Sequence, residues 1–251
     1  MIYISAMDGV LAAAARKEKR VPPGKPTPAQ SPANIPGDGT RERILDAALE
    51  LFGERGLHAA SVRDVAKLAR ANVAAISYHF GGKEELYRAV ATYIAGLIGD
   101  RVAERAPQVV LSPPPETPEA ALAELDIVME TVVDVLVGSE DMRRVARFVL
   151  REQMQPSPAF DIIYDSVMQR LHERVCLAFG IATGTDGQSE AVRLRVFLLI
   201  GQAIFLRVGE AVVLRRLGLE RYDERLLGEV KTMLKQHVRL IVEDLHRSAE
   251  A

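Results

Sequence analysis

TRERILDAALELFGERGLHAASVRDVAKLARANVAAISYHFGGKEEL, residues 40–86, holds three short helical patterns separated by two tight breaks. In the first, Ile44, Ala48, Leu51 and Phe52 fall at i, i+4, i+7 and i+8, one apolar stripe of an amphipathic helix, and Gly56 stands where a C-terminal cap belongs. Ser61, with Asp64 three residues on, makes a capping-box-like start to a second helix of about two turns carrying Val65, Ala66 and Ala69. A sharp turn is expected at Arg70 and Ala71. Asn72 is a good N-cap for a third short helix, in which Val73, Ile76 and Phe80 are expected to face inward while Ala74, Ser77 and Tyr78 share the outer face. Two short helices joined by a tight turn are a helix-turn-helix, whose second member enters the DNA major groove.

From Arg41 through Arg88 this block resembles the DNA-binding domain of the TetR/AcrR family of transcriptional regulators, with Tyr78-His79-Phe80 as its signature, followed by Lys83 and Leu86. The sequence departs from the family at Arg70, where the turn usually has Gly. A non-Gly residue held left-handed there costs about 1 to 2 kcal/mol, so either the turn differs or the domain absorbs the strain.

Phosphate contacts set register and come from cations, hydroxyls and helix N-termini. By motif position the candidates are Arg41, Ser61, Arg63, Tyr78, His79 and Lys83, with His79 open to the alternative of supporting the helix end. Gly81-Gly82 leaves backbone amides unshielded at the start of a fourth helix, which suits a backbone clamp. Base reading looks weaker. Asn72-Val73-Ala74-Ala75 has no Arg or Gln for a bidentate bond to a purine, so Asn72 and Ser77 are the hydrogen-bonding candidates, and Val73 or Ala74 is placed to touch a thymine methyl. Simple packing is an equal alternative for the Val and Ala positions. Specificity is therefore expected to depend on DNA shape and on two copies of the module.

Net charge does not reveal this function. The chain carries 32 basic against 34 acidic side chains, and residues 40–90 carry eight against seven. Placement is what separates them: Asp46, Glu50 and Glu54 belong to the first helix, whereas Arg63, Lys67 and Lys83 gather around the reading surface, a patch able to bind phosphates in a salt-dependent way. With 251 residues, 48% hydrophobic content and no alternating β-branched segments, the chain reads as all-α, one small and one larger domain. The single Cys176 excludes an intrachain disulfide, its apolar flanks favour an inert core thiol, and the cytoplasm is the expected compartment.

Residues 1–39 are expected to be a disordered tail. The basic run from Arg16 to Arg20 follows the mild apolar stretch instead of preceding it, which is wrong for a secretory signal, and a Pro- and Gly-rich linker comes next. The tail reads as a start-site extension or, alternatively, as an arm adding phosphate contacts. Residues 40–86 are the reading head, and 87–251 the ligand-binding and dimerisation domain. A fourth helix is expected from Lys83 to about Glu104, a Pro-rich break over 106–117, a helix from Pro118 to Val137 capped by Thr117, another ending near Met154, and a long one from Pro158 to Phe179 closed by the loop GIATGTDGQ. The segment from Arg151 to Phe160 resembles a junction in the CecR/CerR-like branch of TetR regulators, whose C-terminal domain binds effector and dimerises.

The stretch from Val196 to Leu206 is apolar almost all round yet too short to span a bilayer. It reads as a core helix that also serves a homodimer, with Gly201 and Ala203 allowing close approach and the final helix, about Asp223 to Ser248, completing a four-helix interface. No membrane partner is expected. Candidate effector-binding residues are Asp126, Glu130, Arg147, Arg151 and Gln202, with Phe148, Met154 and Met168 as apolar walls; a salt-bridged or solvated helical residue is the favoured alternative for each, and core filling explains the Met as readily. The branch resemblance implies a xenobiotic-like effector. No catalytic motif is present, and the five His and one Cys show no metal-ligand spacing, so neither an enzyme, a metal site nor a cofactor is expected. The expectation is a ligand-responsive, DNA-binding regulator, a repressor released from a pseudo-palindromic operator; the alternative is a helical ligand-binding or scaffold protein without sequence-specific DNA binding.

Overall fold

A computed structural model describes residues 38–249, so the tail expected over residues 1–39 lies outside them but for its last two residues, and every regular element among the described residues is a helix. The head comprises α1 (Asp38–Ala59), α2 (Val62–Leu68) and α3 (Val73–Phe80). The stripe foreseen on α1 forms its core, with Ile44, Ala48 and Phe52 fully buried against Val65 of α2 and Ile76 of α3. Burying a side chain of the size of Phe52 contributes about 1.5 to 3 kcal/mol. α1 is interrupted at Gly56, whose φ of 75° and ψ of 173° turn the chain out of the helix.

α4 (Lys83–Arg105) leaves the head and runs into the body. The expected boundary at residues 86–87 falls in its first turns, where the apolar core is continuous: Leu86, Tyr87, Val90 and Ile94 join the head's core to Met142, Val145 and Phe148. The Pro-rich stretch after α4 is not simply a break. Pro107–Leu111 forms a short helix, α5, because Pro107 sits in the first turn, where its missing N–H costs nothing, and Val109 is buried.

α6 (Pro118–Val133), capped by Thr117, whose hydroxyl oxygen accepts the Ala120 N–H at 3.2 Å, continues into a widened π turn over Asp134–Gly138. α7 (Glu140–Met154) follows. α8 (Pro158–Ile163) passes through a second π turn, Tyr164–Met168, into α9 (Gln169–Thr183), so the long helix outlasts its expected end and stops at left-handed Gly184. α10 (Glu190–Val208) meets α11 (Glu210–Leu217), an element with no counterpart in the expected order, at a 74° bend. α12 (Glu224–Ala249) closes the chain. No single described helix is long and apolar enough to cross a membrane.

The second core lies among α6, α9, α10 and α12, around Leu125, Met129, Val175, Phe179, Val196, Leu199 and Val238. Ion pairs frame it. Acids one turn apart on α6 and the start of its π turn face bases one turn apart on α12 in reverse order: Asp126 with Arg239, Glu130 with Lys235 at 2.5 Å and Asp134 with Lys231 at 2.6 Å. Glu124, nearly buried, takes a bidentate pair from Arg174 at 2.6 and 2.7 Å, and the same guanidinium donates to the carbonyls of Ser112 and Pro113.

Candidate nucleic-acid interface

α3 is a small helix held by two inward side chains, Ile76, fully buried, and Phe80, 9% exposed. Asn72 caps it, its Oδ1 accepting the Ala74 N–H at 2.9 Å, and left-handed Gly81 ends it with an N–H to the Ser77 carbonyl. What remains outward is Asn72, Val73, Ala74, Ser77 and Tyr78, all exposed. Val73, expected to face inward, is 42% exposed, because the helix is too short to bury a third position beside Ile76 and Phe80. Tyr78 is 86% exposed with its ring edge-on to half-buried His79 at 5.1 Å, so it contributes nothing to the core.

The turn before α3 is where this chain departs from the glycine pattern, and Arg70 does adopt the left-handed conformation, φ 51°. The turn makes both bonds of a Schellman cap: the Arg70 N–H reaches the Lys67 carbonyl at 3.3 Å and the Ala71 N–H the Ala66 carbonyl at 2.9 Å. The domain thus absorbs the strain instead of changing the turn. Arg43, a residue passed over in the sequence, braces this site by donating its Nε to the Ala69 carbonyl at 3.3 Å; nothing in the local pattern signals a contact 26 residues away.

The other phosphate candidates differ in how free they are. Arg63 is exposed, and Arg41 is exposed with its guanidinium carbon 5.4 Å from the centre of the Phe80 ring. Ser61 is the cap of α2: its Oγ accepts the Asp64 N–H at 3.1 Å and donates to the Asp64 carboxylate at 2.8 Å. Lys83 Nζ donates to the His58 carbonyl at 3.2 Å, tying the start of α4 to the end of α1. The N-terminus of α4 has no side-chain cap, unlike those of α2 and α3, so its first amides remain free.

The candidate effector residues do not gather in one place. Asp126 and Glu130 belong to the α6–α12 ion pairs, and Gln202 Oε1 lies 2.6 Å from His237 Nδ1. Phe148 is fully buried against the Tyr87 ring, Met154 is 76% exposed and Met168 packs on the first core. Arg147 and Arg151 face α1: Arg147 pairs with Glu50 at 3.4 Å and Glu54 at 3.5 Å, and Arg151 bonds the Gly53 and Glu54 carbonyls. With Arg144 on Asp46 at 2.9 Å, the acidic face of α1 meets a basic face of α7. A cleft of about 500 Å³ beside this contact is lined by Asp46, Tyr93, Leu97, Asp100, Asp141 and Met142.

α10 buries one side, including Val196, Leu199 and Ala203, and exposes Leu194, Phe197, Leu198, Phe205 and Val208 on the other. Ala203, expected to admit a symmetry mate, faces its own core; the space around Gly201 is open. On α12, Met233 and Leu240 are likewise exposed. Cys176 is buried as expected, 3.6 Å from His172 Nδ1.

Residues 44–90 match the family described as bacterial regulatory proteins, tetR family, and residues 121–245 match the C-terminal domain of the HTH-type transcriptional dual regulator CecR. CecR of Shigella flexneri is 32% identical over 214 residues, 84% of this chain and 95% of its own length. The HTH-type transcriptional regulator UidR of Escherichia coli K12 is 41% identical over 51 residues, 20% of this chain and 26% of UidR. Among solved structures, Bacillus subtilis FadR in complex with stearoyl-CoA has a TM-score of 0.56 at 17% identity, over 78% of this chain and 96% of its own. A TetR-like regulator from Rhodococcus sp. RHA1 has the same TM-score, 0.56, at 17% identity, over 79% and 93%. At that identity the likeness is one of fold.

Proposed function

The chain belongs to the TetR family of transcriptional regulators, with a C-terminal domain of the CecR type, and from this we propose that it is a repressor released from a pseudo-palindromic operator by a small molecule. The observation that carries the DNA half of this reading is the outer face of α3. A helix pinned by Ile76 and Phe80 presents a polar and aromatic surface, Ser77 and Tyr78 among it, that no intrachain packing requires, with the capping residue Asn72 exposed beside it.

Tyr78, Arg41, Arg63 and the free amides at the start of α4 grip the phosphates, and Lys83 and His79 stand beside them. Base edges are read by Asn72 and Ser77, with Val73 and Ala74 against thymine methyls. Ser61 acts through its cap, holding α2 at the angle from which α3 enters the groove. One such head discriminates poorly, so the exposed apolar face of α10, with α12, joins two copies as a homodimer. The heads then meet half-sites about one helical turn, 34–36 Å, or a multiple of it apart.

An effector acts by favouring one head separation over another, and only by its differential affinity for the two states. It is proposed to be a xenobiotic-like molecule bound among the body helices, with Phe148 and Met168, which belong to the core shared with α4, as the starting residues; Asp126, Glu130, Gln202 and exposed Met154 lie apart from them. A gel shift on DNA upstream of the gene, repeated across a panel of drug-like and fatty-acyl compounds, tests release: at least one compound is expected to lower occupancy. Occupancy unchanged across the panel contradicts it.

A further inference from the structure

The reading helix is strung between the end of α1 and the start of α4, and two adjacent residues at the last turn of α7 hold both of those points. Arg151 donates its Nη2 to the Glu54 carbonyl at 2.7 Å and its Nε to the Gly53 carbonyl at 3.3 Å. Both carbonyls lie in the last turn before α1 breaks at Gly56, so the guanidinium sits as a cap on the end of its straight segment. The fit is close: a Cβ on Gly56 would lie 3.2 Å from Arg151 Nη1, and one on Gly53 would lie 3.5 Å from the Arg144 carbonyl.

Glu152, 3% exposed, holds the other point. Its Oε1 accepts the Tyr87 hydroxyl of α4 at 2.6 Å, and its Oε2 accepts the Ser157 N–H at 3.2 Å and the Ser157 hydroxyl at 2.6 Å. Ser157 in turn caps α8, accepting the Ala159 N–H at 3.1 Å. A buried carboxylate with three donors is fixed in orientation, and it fixes Tyr87 with it. α2 packs on α1, and α3 on α2 and α4, so the reading helix follows where α1 and α4 are placed.

We propose that Arg151 and Glu152 are positioning residues for operator recognition, which set the angle of the reading head on the body and hence the distance between the two heads. Neither touches DNA. The inference rests on the dimeric, two-half-site reading above. Movement of α7 or α8 by a bound effector would reach α1 and α4 together through this one turn.

The test uses the full chain and an operator drawn by the unaltered protein from a random-sequence duplex pool. Duplexes are then built with the two halves moved together or apart by a base pair or two. The unaltered protein is expected to prefer one spacing by about tenfold or more, and Arg151→Met to flatten that preference to about threefold or less. The affinity for a single half-site, measured at a temperature where each variant is fully folded, stays unchanged. Arg151→Lys, which still reaches one carbonyl, recovers part of the preference, and Tyr87→Phe, which frees the second anchor, loses it as Arg151→Met does. Unaltered spacing preference in Arg151→Met and Tyr87→Phe overturns the inference alone, as does an equal loss on the single half-site, which marks a folding strut. Failure of the unaltered protein to draw an operator, or to prefer any spacing, overturns the dimeric reading and this inference with it.

Discussion

The Tyr87 hydroxyl lies 2.6 Å from Oε1 of Glu152, 65 residues further along the chain, with the ring edge-on to Phe52 and tilted on Phe148, each at 4.9 Å. Burial, and then the hydrogen bond to Glu152, push its ionisation well above the ordinary tyrosine range. Tyr87→Phe leaves the Glu152 carboxylate short of a donor in the interior and is expected to destabilise the fold by about 1.5 to 3 kcal/mol in urea titrations. The pH sign follows from the raised value: the unfolded chain ionises first, so stability falls as pH climbs past about 10, and the variant loses that part of the alkaline slope.

Arg70 is the strained point of the head, a side-chain-bearing residue at φ 51°. Arg70→Gly relieves a left-handed cost of about 1 to 2 kcal/mol and gives back part of it as backbone entropy, for a net gain of about 1 kcal/mol, or about 2 to 4 °C in melting temperature. Arg70→Val is expected to destabilise. Differential scanning calorimetry of the two variants checks both signs.

Phosphate and base contacts are separable by salt. Arg63→Gln is expected to weaken every sequence alike and to lower the slope of log K against log salt by about 1, since one counterion fewer is released. Ser77→Ala is expected to leave the slope alone and relax preference at one base pair, at a cost of about 1 to 3 kcal/mol against the preferred base. Fluorescence anisotropy over a salt series distinguishes them.

How much of this was legible in the sequence varies with the range of the contact. The head was, because its signals are local: the stripe ending at Phe52, the Ser61 and Asn72 caps and the break at Gly56 all act within a turn or two. Even the conformation of Arg70 was posed as an alternative by the missing Gly. Val73 was misplaced, since periodicity gives the face of a short helix but not how much of it finds a partner. Arg147 and Arg151 read in the sequence as ligand-site candidates, and their acidic and carbonyl partners on α1, over 90 residues upstream, are not legible there because no spacing rule links them. α5 was hidden by the prolines that flank it, and the inward turn of Ala203 by a helix apolar on every side.

The exposed face of α10 predicts an assembly. Phe197 is 56% exposed and Leu198 73%, and Phe197→Glu places a charge where the account requires a dry contact. Sedimentation equilibrium is expected to show a dimer for the unaltered chain and a monomer for the variant, with operator affinity lower by about a hundredfold or more through loss of the second half-site.

His172 stacks on Phe197 at 3.9 Å, and burial lowers its pKa; a hydrogen bond with the Arg193 backbone favours the protonated ring, the Arg193 charge disfavours it and Glu173 favours it. A base with a depressed folded pKa takes up its proton first in the unfolded chain. Stability from this site is therefore complete above about pH 6.5 and declines as pH falls through that range, and His172→Phe is expected to flatten the decline in a pH series of thermal melts.

The grip of the outer face of α3 and the start of α4 on DNA is tested by footprinting the full chain on the duplex upstream of its gene, alongside the double variant Tyr78→Ala, Lys83→Ala. A discrete, two-fold symmetric footprint from the unaltered protein, lost in a double variant that keeps its melting temperature within a few degrees, is the predicted result. No footprint from the unaltered protein, or one that the double variant retains at the same concentration, contradicts the account.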